Sequence, residues 1–521
     1  MPDTLDETYA RTLEDIGDQN WECAYRLFQC VAVASRPLRV EELAEFLAFD
    51  FEEGSTPAFL AEWRPDDAAH AVLSTCSSLL AVVNVGRYPV IQFAHFSVKE
   101  YLTSGRLAEA KSTISRFHVS MTPAHTIVAQ ACLGVLLHLD ENITKDGLED
   151  FPLAEYAAEH WVGHARIENV SSNVHDGMKC LFDAGQRHLS IWVWIYDPEE
   201  PSGRYWRSQR PSQARETSLH YAALCGIHDI VTFLIVELSQ DVNARSLNEE
   251  TPLHVASREG FVELARILLK HGADIEAWDE RERSPLALAT SGGHAELIRV
   301  LLEHGANVNA QDWGGDTPLY RASWQGMPAV AQVLLRYGAD VKTRNRRNET
   351  PLHRANVKAV AQILLEHGAD ANALDTENRT PLHLASEDGR MGVVRVLLEH
   401  GVDANARDTD DATPIHLASY SWHEEENLLG VLRLLLQYGS DIHALDYGGQ
   451  TPFLTATHRG NRRIMQFLLE NGAEDHRDGD PRNLKMDPTG EPEQTSEVEL
   501  PEQVALRKAV WTREDQRWPK R

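Results

Sequence analysis

The chain has 24 histidines and six cysteines among its 521 residues, enough to ask whether any are spaced for metal binding or catalysis. His220, His254, His353, His383 and His416 each stand three places after a Thr, and His271, His304, His367 and His400 each precede a Gly. Metal sites draw ligands from short characteristic intervals such as HExxH or paired CxxC, and neither pattern occurs. A histidine fixed in a recurring pattern reads as a structural hydrogen-bonding group, and one in the last turn of a helix suits its negative end. Ser35, Ser77 and Ser97 have no GxSxG elbow, and Cys23, Cys30, Cys76, Cys132, Cys180 and Cys225 form no Cys/His motif. A phosphate-cradling P-loop, GxxxxGK[ST], is excluded because no Gly-Lys pair occurs anywhere. The sequence therefore offers no catalytic, metal or cofactor residues, and the expectation is a protein that is not an enzyme and binds no nucleotide within this chain.

Bulk properties narrow the class. Apolar residues make up 42% and charged residues 25%, as in ordinary globular domains. The formal charge of −29 opposes attraction to nucleic acid or anionic lipid. No apolar run approaches the roughly 20 residues of a membrane span, and the first residues, MPDTLDETYARTLEDI, lack a basic region followed by an apolar one. The scattered cysteines read as reduced thiols. A cytoplasmic protein is expected, with the nucleus open.

The elements that position the recurring histidines follow from a repeat. Thr217, Thr251, Ser284, Thr317, Thr350, Thr380, Thr413 and Thr451 open related units at intervals of 34, 33, 33, 33, 30, 33 and 38. Thr before Pro is a helix start, since the hydroxyl can cap a free N–H and Pro at the first position loses none. A first Gly, as at Gly260 or Gly389, breaks that helix, and VELARILLKHG or VVRVLLEHG supplies a second with one apolar stripe. A second Gly, as at Gly272 or Gly401, sits where a left-handed cap belongs. One unit cannot bury its own stripe, whereas stacked units can.

TPLH at the head and LLxxGAD near the tail of a 33-residue period resemble the ankyrin repeat. The fold expected is mainly α, with a solenoid of about eight repeats over residues 216–476. The resemblance implies protein partners bound at the turn tips and first-helix face. At the tips stand Arg245, Trp278, Trp313, Arg344, Arg346, Arg407 and Tyr447, and at the first-helix ends Arg258, Trp324, Glu387, Tyr420 and His458. Arginines and aromatics are the side chains that most often carry interface energy.

Residues 1–118 have another pattern. DETYARTLEDI and CAYRLFQCVAVA are helical, RPLRVEELAEFL has the cadence of a short helix introduced by Pro37, and LLAVVN and VIQFAH are β-like runs around Gly86 and Pro89. Three helices and a hairpin give a winged-helix domain. TLDETYARTLEDI, RPLRVEELAEFL and FAHFSVKEYL resemble the region after the NACHT ATPase in fungal NOD-like (STAND) receptors. That resemblance implies a regulatory arm packed on an ATPase. With no P-loop, the expectation is either a C-terminal fragment of such a receptor or a scaffold working without nucleotide switching. A nucleic-acid role for the winged helix is the remaining alternative, and ten Lys/Arg against eighteen Asp/Glu in residues 1–118 oppose it. Residues 119–215 read as a helical connector and Pro/Ser-rich linker whose Trp192, Trp194 and Tyr196 cover the first repeat, and residues 477–521 as a disordered tail.

Two units break the period. The unit from Thr350 lacks three residues, and alignment puts Asn356 at the place of Gly389, where Asn can take the left-handed turn. A shortened first helix and a notch at Ala355–Asn356 are expected. The unit from Thr413 has five residues in excess, which predicts a protrusion near Trp422–Glu426.

Overall fold

The structure is a computed structural model describing residues 2–474, apart from 52–55, 87, 111–112, 141, 184–186 and 200–215. The expected disordered tail, and most of the Pro/Ser-rich linker, lie outside the described residues. The chain divides into two compact units, Met1–Ala385 with Arg390–Asp403, and Ser386–Gly389 with Ala404–Arg521.

The first unit begins with α1 (Pro2–Glu14) and α2 (Trp21–Val33), whose Leu27, Phe28 and Cys30 are buried. β1 (Leu38–Arg39) and α3 (Val40–Glu45) follow, then a small antiparallel pair, β2 (Phe49–Asp50) with β3 (Ala58–Phe59). After α4 (Ala68–Cys76) come β4 (Leu80–Val85), β5 (Tyr88–Phe93) and α5 (Phe96–Leu102). The expected hairpin is present, and β1 joins it by pairing Leu38 with Ile91 and Arg39 with Val90, giving the order β1-β5-β4. Pro37 thus leads into a strand, and the helix begins only at Val40. Pro has no N–H to give the sheet and so stands just outside it.

A helical connector carries this domain onto the repeats: α6 (Gly105–Ala108), α7 (Met121–His138), α8 (Ala154–Ala165), α9 (His175–Phe182) and α10 (His188–Ile195). α7 passes so close to β2 that a Cβ on Gly134 would lie 2.7 Å from the Phe49 ring. Charged groups knit the domain and connector together. Glu42, fully buried, accepts from the Arg36 and Arg39 guanidinia and from the Arg39 N–H. Glu45 is paired with Arg64 and accepts from the Leu153 N–H at 2.6 Å. Tyr156 accepts from the Ser35 N–H and bonds His164 at 2.9 Å, while His164 meets His125 at 2.8 Å. Burial depresses the His164 pKa to about 3.

Trp192 on α10 is fully buried and donates its indole N–H to the Ala158 carbonyl at 2.8 Å. Its ring packs edgewise on Trp161, Phe182 and Tyr221 at 5.4, 5.9 and 6.1 Å between centroids. Tyr221 belongs to the first helix of the first repeat, Ser218–Leu224, so Trp192 packs the connector against that helix.

The regular unit is clear from Thr251. Pro252–Glu259 is the first helix, Gly260 breaks it at φ 78°, Val262–Lys270 is the second helix, and Gly272 ends it at φ 89°. In the unit from Thr350 only one 3-10 turn, Pro351–Arg354, remains of the first helix. Asn356 does not take the left-handed conformation; Ala355 (φ −54°, ψ 111°) and Val357 (φ −128°, ψ 151°) are extended instead. Asn356 N–H bonds back to the Ser323 carbonyl at 3.1 Å, so the chain crosses to the second helix without a glycine-type turn. In the second unit, the repeat from Thr413 spends its extra residues on a second helix of 13 residues, Glu425–Gln437, and on an exposed Trp422 before it.

Candidate partner-binding surfaces of the repeats

Each TPLH head is a closed hydrogen-bond circuit. In the unit from Thr251, the Thr251 N–H donates to His254 Nδ1 at 3.1 Å, and His254 Nε2–H donates to the Arg283 carbonyl of the next unit at 3.0 Å. His353 makes the same bonds to Thr350 and Arg379, and, in the second unit, His416 to Thr413 and Gln450. His220 reaches the Glu250 carbonyl at 2.9 Å. Because Nδ1 must accept and Nε2 must donate, the neutral tautomer is fixed, and burial depresses the pKa of His220, His254, His353 and His416. His271, His304, His367 and His400 each place Nδ1 2.8–2.9 Å from the carbonyl four residues earlier, where a ring N–H satisfies a helix-end acceptor. These histidines are structural. Among the described residues no group of three His, Cys, Asp or Glu is placed to hold a metal ion.

Within the first unit the tip arginines divide into two kinds. Arg245 donates through Nη1 to its own Glu249 carbonyl at 3.0 Å and to the Trp278 carbonyl of the next repeat at 2.5 Å. Arg344 does the same to Asn348 and Leu374, at 2.9 and 2.7 Å. Gln311 stands in for Arg between them and reaches the Arg344 carbonyl at 3.0 Å. Arg245 and Arg344 therefore staple successive tips, an engagement the sequence reading missed although the recurring spacing carried the signal. Arg346 instead lies over the Trp313 ring, 5.7 Å from its centroid. Trp278 is 55% exposed and Trp313 65% exposed.

On the first-helix face, Arg258 is held by Glu250 at 2.6 Å and neighbours Glu259 and Glu199. The same pairing recurs as Arg354 with the buried Glu349, which also accepts from Tyr320 and Asn345. Glu216, next to Glu199 and Glu250, has its pKa pushed up to about 7 by burial and then by those charges. Trp324 is 39% exposed.

The second unit holds the other expected residues. Arg407 is a staple like Arg245, donating to Asp411 and Leu445 carbonyls at 3.1 and 2.8 Å. Tyr447 is 84% exposed at its tip, Tyr420 and His458 are exposed, and Glu387 is half-buried. Arg459, which the sequence reading passed over, has its guanidinium 4.8 Å from the Tyr420 ring centroid.

Ankyrin-repeat models match residues 195–279, 277–345, 347–376, 364–418 and 421–469. The C-terminal region is an ankyrin-repeat array. A model described as the winged-helix domain of GPI inositol-deacylase matches residues 14–115, and the N-terminal domain is a winged helix. The chain is similar to the azaphilone pigments biosynthesis cluster protein L of Monascus ruber, 30% identical over 296 residues, which is 53% of this chain and 60% of that protein. It is also similar to mouse BCL-6 corepressor-like protein 1, 37% identical over 86 residues, or 15% of this chain and 5% of that protein. The chain thus spans about three fifths of the first relative and a small part of the second. No described helix is long and apolar enough to cross a membrane.

Proposed function

We propose that the chain is a non-catalytic, cytoplasmic interaction scaffold in which the ankyrin array captures a protein partner and the winged helix is a regulatory domain of NOD-like-receptor type. The observation carrying this reading is the division of labour at the tips of the first unit. Arg245 and Arg344 are consumed in stapling the repeats, whereas the Trp278 and Trp313 rings face solvent and Arg346 is held over Trp313. Exposing two indoles costs hydrophobic free energy that folding alone gives no reason to spend, and a rigid aromatic-arginine pair is the type of anchor interfaces use. Trp278, Trp313 and Arg346 are therefore the first residues assigned to the partner face. Trp324 in the first unit, and Tyr447, Tyr420, His458 and Glu387 in the second, are secondary members.

A nucleic-acid reading of the winged helix is disfavoured by α4, β4 and β5, which together contain no Lys or Arg to neutralise phosphate. The receptor-type reading is favoured over it by the way buried Glu45 ties the domain to the connector as a packed arm. The test is capture of a partner by the immobilised full chain. Trp278→Ala with Trp313→Ala should reduce capture about tenfold or more while the far-ultraviolet circular dichroism is unchanged. Undiminished capture by this pair would discard the tip face.

A further inference from the structure

The tips of the first unit are joined into a continuous row. The Glu280 N–H donates to the Asn248 carbonyl at 2.9 Å, and the Trp313, Arg346 and Thr376 N–H groups donate to the Arg281, Gly314 and Arg347 carbonyls, each at 3.0 Å. A Cβ on Gly315 would lie 3.0 Å from the Arg346 nitrogen, so neighbouring tips touch. Four of these five tips expose a large apolar side chain: Leu247 (72% exposed), Trp278, Trp313 and Leu374 (43%). The tip between the last two exposes Arg346 instead. Its guanidinium rests on Trp313, and it has no acidic partner among the described residues. In chain order the row therefore reads apolar, apolar, apolar, cationic, apolar, on a backbone that holds each member in place.

The step of the row selects the shape of a ligand. Packed helices lie about 8–10 Å apart, so successive tips are displaced by about that distance. A β-strand covers about 10 Å in three residues, but alternate side chains point to opposite faces, and residues three apart cannot share a row. An α-helix matches the step only at every seventh residue, and needs roughly 25 residues to pass five tips. A polyproline-II segment advances about 9 Å in three residues and makes one turn in doing so, which returns every third side chain to the same face. About 13 residues of it pass all five tips. Its backbone loses little entropy on docking, and aromatic rings are the surfaces that recognise it. An unpaired guanidinium takes a carboxylate in charge-assisted hydrogen bonds. We propose, on the reading that the tips are the partner face, that their ligand is an extended polyproline-II segment. It carries Pro or another apolar residue at every third position and an acidic residue at the step that meets Arg346.

Random sixteen-residue peptides displayed on phage and selected on the immobilised full chain test this. The chain carrying Trp278→Ala and Trp313→Ala, shown by circular dichroism to be folded, serves as the comparison. Peptides held by the parent should be retained about tenfold less well by that variant. They should share apolar residues or Pro at three-residue intervals, with Asp or Glu at one of those steps. Selection on Arg346→Glu should replace that acid by Lys or Arg and leave the apolar steps unchanged. Tip-dependent peptides with two-residue or helical spacing would keep the tip face and overturn this ligand. An acid that persists on Arg346→Glu overturns the pairing with Arg346. If no enriched peptide depends on the tips, the extended ligand is overturned, and the capture assay separately decides whether the face stands.

Discussion

In the repeats one chemical task is done at one sequence position many times, whereas in residues 1–195 each task is done once. His254 closes a circuit from Thr251 to the Arg283 carbonyl, and His353 repeats it from Thr350 to Arg379. Glu45 and Trp192 have no such counterparts; each joins segments that are apart in sequence, as Glu45 joins Leu153 across 108 residues and Trp192 joins Ala158 across 34. The array therefore spreads its stability over many equivalent junctions, and the connector concentrates it in a few. Damage to one junction should be tolerated in the first case and severe in the second.

The largest effect is expected where the two regions meet. Trp192→Ala removes a fully buried indole from among Trp161, Phe182 and Tyr221, together with its hydrogen bond to the Ala158 carbonyl. It should destabilise the connector and first repeat by about 3–5 kcal/mol, measured by urea unfolding or by exchange at Ser218–Leu224. A cost near that of an ordinary surface substitution would mean that the connector is not what closes the array.

That contrast also explains what could be read from the sequence. Periodicity exposed the Thr, His and Gly positions, because a residue that recurs every 33 places names its own role. It also located the shortened helix at Pro351–Arg354 and the displaced Trp422. It failed at Asn356, where the expected left-handed turn assumed that the missing turn leaves the rest of the local geometry intact. The chain instead runs extended through Val357, anchored by the Asn356 bond to Ser323. At Arg245, Arg344 and Arg407 residue type suggested an interface, and the carbonyls of the next tip that they bond were invisible. β1 depends on long-range pairing with β5, which carries no local signature.

An acid titration probes the repeated circuits together. Burial depresses the pKa of His220, His254, His353 and His416 in the folded chain, relative to an unfolded value of about 6.5. Above that value both states are neutral and the histidines contribute no pH dependence. As pH falls through it, the unfolded chain takes up protons that the folded chain refuses, so stability falls by up to about 1.4 kcal/mol per pH unit for each histidine. Glu216 works in the opposite direction. Its raised pKa of about 7 means that its contribution is complete below the unfolded carboxylate value and is lost as pH rises through 7. Denaturant midpoints from pH 7 to pH 5 should decline, and His254→Ala should make the decline shallower while lowering the midpoint at pH 7. An unchanged slope would show that His254 protonates freely in the native state.

The smallest expected effect isolates backbone from side chain. Five tips of the array place a non-glycine residue at the same left-handed position: Glu249, Glu282, Asn348, Asn378 and Asp411, with φ between 53° and 59°. Gly315 and Gly449 occupy that position in two others, at φ 77° and 68°. Asn and Asp tolerate this conformation because their short side chains bond locally, whereas Glu has no such compensation. Glu249 at least lies 3.6 Å from the Arg245 guanidinium, which leaves Glu282 as the cleaner site. Glu282→Gly relieves the Cβ clash and also frees the unfolded chain, two terms of opposite sign. Relief of roughly 1–2 kcal/mol of left-handed strain exceeds the entropic penalty of about 0.5–1 kcal/mol. The variant should therefore unfold at a slightly higher temperature than the parent, by one or two degrees. Asn348→Gly, where the strain is already small, should unfold at a lower one. If both variants shift together, the tip strain is not local to the side chain, and the apparent equivalence of the repeats at this position ends there.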